Sequence, residues 1–143
     1  MDRISAKYHQ FTGLFLRLGL GFIYLYSGYG KLFLGDETIG VCSNRGEAAA
    51  LVGNYTWIPI DPETFVLLQS IVELVLGLML VIGIKTRWAA TISTALLIIF
   101  LIFIDFNLVW KNIALLGASI ALALTRDNAW SWDERKKTSR NEE

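Results

Sequence analysis

The chain has 143 residues and no net charge; 54% of its residues are hydrophobic and 18% charged. A mean hydropathy of +0.47 places it in the membrane class. Neutrality removes the basic surface that nucleic-acid binding requires. The single cysteine, Cys42, excludes an intramolecular disulfide or a CxxC relay, and the single histidine, His9, leaves no histidine pair for haem or a metal. No metal, haem or flavin site is implied.

Residues 1–10 are polar and read as a cytoplasmic lead-in, with Arg3 and Lys7 as basic residues and Tyr8 as an interfacial anchor. The first apolar run, about residues 11–34, is longer than the roughly 7–15 residues of a signal-peptide core, and an uncleaved anchor is expected. At about 1.5 Å per residue it reaches across a hydrocarbon core of about 30 Å. Within it Arg17, Tyr24 and Lys31 recur at heptad spacing, joined by Gly21 and Gly28. On a helix these residues share one face. Charged side chains are costly in lipid, so this face should look inward, towards other helices or a wet cavity.

Residues 35–64 form one acidic loop carrying Asp36, Glu37, Glu47, Asp61 and Glu63 against Arg45. A short surface helix is expected over Glu47–Val52, capped by Ser43 or Asn44 and closed by Gly53. Asp61 and Pro62 read as the N-cap and first position of the next helix.

A second span follows over about residues 65–84, with Gln69, Glu73 and Gly77 on one face and Lys85-Thr86-Arg87 closing it. The third span is expected over 88–104. The fourth covers 108–124, with Asn107 as its cap and Lys111 and Asn112 in its first turns. Trp130 and Trp132 suit an interface, and 133–143 read as a disordered tail. The whole is expected to be a single all-α domain, an integral membrane four-helix bundle. Arg3, Lys7, Lys85, Arg87, Arg126 and the basic tail fall on one side. The positive-inside rule therefore puts both termini in the cytoplasm and the acidic loop outside.

Three charges within so small a bundle call for pairing. The helical rise sets Glu73 between Arg17 and Lys31, about 7–9 Å along the axis from either. One reading makes Arg17 and Glu73 a structural ion pair that fixes packing. The other has Glu73 and Lys31 line an outward-open pocket that binds a quinone head group or relays a proton, with Tyr24, Gln69, Lys111 and Asn112 as further binding residues. The glycines of LGLGFIYLYSGYG lie inside a hydrophobic helix with no preceding strand, so they serve helix contact rather than a dinucleotide. Beside a contact with a quinone, Tyr24, Tyr26 and Tyr29 have the commoner reading of core or belt residues. Cys42 reads as an incidental thiol, and Thr91, Ser93, Thr94 and Ser119 as hydroxyls bonded to their own helix backbone.

The runs LRLGLGFIYLYSGYGKLF, ELVLGLMLVIGIKTRWAA and KNIALLGASIALALTRDNAWSWD resemble, in order and spacing, the helices of the DoxX family. The resemblance covers about residues 11–133. It implies a four-helix protein of a bacterial or archaeal plasma membrane, with Arg17, Lys31, Glu73, Arg87, Lys111 and Asn112 at positions matching the family pattern. That family includes the DoxD-type subunit of thiosulfate:quinone oxidoreductase. Other members associate with thiol and superoxide defence proteins, and distant relatives act as assembly factors. The expectation is a quinone-linked redox subunit with Glu73, Lys31 and Arg17 as its central groups, held in the lipid bilayer with a protein partner or as a homo-oligomer. The alternative is a non-enzymatic scaffold or assembly factor. A small transporter or pore with Glu73 as its ion site ranks last.

Overall fold

The computed structural model describes residues 2–34, 59–103 and 109–125, with residues 49, 53 and 132 described singly. Four α-helices account for nearly all of them, and no strand occurs among the described residues. They are α1 (Asp2–Tyr29), α2 (Pro62–Ile82), α3 (Thr86–Phe103) and α4 (Val109–Leu124). Over Gly30–Leu34, α1 continues with its hydrogen bonding widened to the π pattern. Phe11–Phe33 and Pro62–Ile82 are long and apolar enough to cross a membrane; Thr86–Ile102 and Asn112–Leu124 are apolar but shorter.

Helix boundaries differ from the expected ones for identifiable reasons. α1 begins at Asp2 instead of residue 11, because hydropathy marks the greasy part of a helix and not its start. α2 begins at Pro62, and Asp61 is its cap: Glu63 N–H and Thr64 N–H donate to Asp61 Oδ2 at 3.1 and 3.2 Å. Its end comes earlier than Lys85. Gly83 adopts φ 82°, the left-handed conformation that glycine takes without steric cost. Gly83 N–H and Ile84 N–H both donate to Met79 O, a carbonyl of the last helical turn. Lys85, at φ 47°, then turns the chain into α3 at Thr86.

The expected surface helix over 47–52 lies outside the described residues apart from Ala49, which is helical; Gly53, placed as its terminator, is helical too. Asn107, Cys42 and most of the 126–143 tail also lie outside them.

The chain divides into two compact units, Met1–Gly21 with Met79–Glu143, and Phe22–Leu78. In the first, α3 packs against α4. Leu80, Ala89, Ala90 and Leu122 are fully buried there. Thr94 and Ser119 bond their own helix backbones, as expected, at Ala90 O and Leu116 O. Their hydroxyls also lie 2.9 Å apart, and since each carries one proton, α3 is tied to α4 when one of them donates to the other in place of its own backbone carbonyl. Arg87 Nε donates to Ala123 O at 3.3 Å, placing a cation on the C-terminal carbonyls of α4, where the helix dipole favours it. In the second unit, the C-terminal part of α1 packs against α2 around Val66, Ser70 and Leu76.

Candidate functional site

On α1 the buried positions are Gly13, Arg17, Leu20, Gly21, Tyr24, Ser27, Gly28, Gly30 and Lys31. This is the heptad stripe read from the sequence. The opposite face carries Phe15, Phe22, Tyr26, Tyr29 and Phe33, all exposed, with the rings of Tyr29 and Phe33 4.9 Å apart. Tyr24 is therefore the inward tyrosine of the three, and Tyr26 and Tyr29 point outward.

Gly28 brings the two helices of the second unit together. A methyl group there would stand 2.8 Å from Ser70 O, 2.9 Å from Leu74 Cγ and 3.0 Å from Leu74 N. Two of these three are backbone atoms, so α1 and α2 touch backbone to backbone at this level, the close approach that small residues allow. Ser70, itself fully buried, directs its hydroxyl to Val66 O at 2.6 Å and so adds no unpaired group to the contact.

One turn beyond Gly28, the π-bonded segment carries Lys31. Such widened turns re-aim side chains and occur often at functional sites. Lys31 Nζ donates to Glu73 Oε1 at 2.6 Å, and both side chains are more than nine-tenths buried. Gln69 Nε2 donates to the same oxygen at 2.9 Å, as four-residue spacing on α2 permits. The result is a charge-assisted cluster in which one carboxylate oxygen receives two donors. Its second oxygen, Glu73 Oε2, and Gln69 Oε1 are both buried without a hydrogen-bond partner. Groups left so carry a desolvation cost of about 1–3 kcal/mol each, and such an exception calls for an explanation.

Lys31, Gln69 and Glu73 are thus brought together, with Tyr24 buried one heptad earlier on the same face of α1. The ion pair that the structure shows for Glu73 is with Lys31. Arg17, the other cation considered for it, is 2% exposed, takes part in an interaction and belongs to the first unit. Asn112 is half-buried on α4, also in the first unit. The side chain of Lys111 lies outside the described residues. Sequence reasoning passed over Ser70; the small-residue spacing Ser27-Gly28-Gly30 was the available signal for it, through the partner it demands. No group of three or more metal-ligating side chains occurs among the described residues.

Compared with known proteins, residues 13–106 match the family model described as DoxX. That stretch contains all of α2 and α3 and the part of α1 that carries the buried stripe. No curated protein and no solved structure matches the chain.

Proposed function

The chain belongs to the DoxX family, a membrane-associated family, and from that premise we propose that it is a quinone-linked, redox-associated membrane subunit of the DoxX/DoxD type. In this reading it is a multi-pass four-helix protein of a bacterial or archaeal plasma membrane, with both termini cytoplasmic. The observation that carries the reading is the Lys31–Glu73–Gln69 cluster. It holds charge, donors and unsatisfied acceptors on buried faces of two helices that are long enough to span. Polar groups kept at such cost inside apolar helices mark functional sites by default.

The donor set fits a quinone head group. The Lys31 ammonium has further N–H groups to offer a carbonyl, and Glu73 Oε2 and Gln69 Oε1 can accept from a hydroxyl. A bound quinone would supply a two-electron acceptor that takes up two protons on reduction. Within this chain, Glu73 would hold or pass a proton at Oε2, Lys31 would orient the head group and balance the carboxylate, and Tyr24 would close the apolar side. Electrons would come from a partner protein or a small sulfur compound, as in a thiosulfate:quinone-type enzyme.

Native mass spectrometry on protein extracted gently from its own membrane tests this. A bound quinone, lost in Glu73→Gln or Lys31→Ala, is the expected result. A stoichiometric protein partner with no quinone would replace the redox reading with the scaffold.

A further inference from the structure

The two unpartnered oxygens of the cluster are both acceptors, one turn apart on one face of α2. The assignment of the Gln69 amide is fixed by its neighbour: a carboxylate only accepts, so Nε2 must face Glu73 and Oε1 must point away from it. What remains to be satisfied is therefore a demand for donors. A quinone carbonyl brings none, whereas a hydroquinone brings two hydroxyls.

Resting on the quinone reading above, we infer that the cluster is selective for the reduced head group, and that Gln69 sets the preference. One hydroxyl of the hydroquinone donates to Gln69 Oε1, and the desolvation cost of that oxygen is recovered when the reduced form binds. Lys31, already committed to Glu73 Oε1, serves both forms about equally. Linkage gives the preference a consequence. A site that binds the reduced form tenfold more tightly raises the two-electron potential of the bound couple by about 30 mV. The protein would then favour reduction of its bound quinone and act as an electron-accepting end.

The test uses the full chain in phosphatidylcholine nanodiscs, with a decyl-benzoquinone and its hydroquinone as probes, each assayed by anaerobic equilibrium dialysis. The hydroquinone is expected to bind at least about tenfold more tightly than the quinone, the range set by satisfying one buried acceptor. Gln69→Leu is expected to reduce that ratio towards unity. Because the wild-type ratio alone decides the matter, a poorly folded variant does not rescue the idea. Equal affinities, or tighter quinone binding, would overturn the selectivity and leave the quinone reading standing. Binding of neither probe would overturn both.

Discussion

Lys31 Nζ lies 2.6 Å from Glu73 Oε1, forty-two residues apart in sequence and both almost wholly withdrawn from the surface. A buried pair of this kind is weak evidence of net stability, since taking both charges out of solvent offsets much of their attraction. Breaking it from one side is a different matter, because an unpaired buried charge remains. Lys31→Met and Glu73→Leu should each cost about 3–5 kcal/mol of unfolding free energy, and the double variant clearly less than their sum. Denaturant unfolding of all four proteins in one detergent checks this. Additive losses would mean the two groups are not energetically coupled.

Gly28 and Gly19 lie on the same helix and predict opposite outcomes. A Cβ at Gly28 runs into Ser70 O and Leu74 N, backbone atoms that yield only if the helices separate. Gly28→Ala should therefore cost about 1–3 kcal/mol, as overpacking does, and should loosen the Lys31–Glu73 pair one turn away. At Gly19 nothing lies within 4 Å of the added methyl. Gly19→Ala should be neutral, or stabilising by about 0.5–1 kcal/mol through helix propensity. Thermal unfolding of the two variants side by side is the measurement; a loss at Gly19 equal to that at Gly28 would remove the backbone-contact explanation.

The buried stripe of α1 was legible because Arg17 and Lys31 have few tolerable directions inside an apolar run, and heptad spacing then fixes the face. The start of α2 was legible for a local reason, the Asp61-Pro62 pair, whose capping geometry needs no tertiary information. Which cation meets Glu73 was not. Axial rise sets Arg17 and Lys31 at similar distances from it, and the choice depends on the backbone contact at Gly28 and on the π-bonded turn under Lys31. The end of α2 was misplaced because the basic run at Lys85 reads as an interface, whereas the chain turns at the left-handed Gly83. The Thr94–Ser119 link was missed because each hydroxyl already satisfies itself within its own helix.

Gly83 makes a compact test of that stop. An L-residue at φ 82° meets the steric penalty of the left-handed region, so Gly83→Ala should cost about 1–2 kcal/mol. Gly83→Asn should cost less, since asparagine visits that region more readily. Unfolding midpoints of the two variants give the comparison, and an alanine variant as stable as the parent would show that the turn re-forms elsewhere.

Topology can be read with the chain's own single cysteine. Cys42 falls in the acidic loop that the proposed orientation puts outside, while the basic tail around Lys137 should face the cytoplasm. A membrane-impermeant maleimide applied to intact spheroplasts should label the parent protein at Cys42. A Cys42→Ser, Lys137→Cys variant should stay unlabelled until the membrane is permeabilised. The discriminating element is α4: its apolar part, Asn112–Leu124, extends only about 20 Å at the helical rise, against a hydrocarbon core of about 30 Å. It crosses only if the turn holding Trp110 and Lys111 enters the membrane with it. Labelling at both positions from outside would mean an odd number of crossings, with α4 or α3 not spanning. Labelling at Lys137→Cys alone would invert the orientation and place the Lys31 end of α1 on the cytoplasmic side.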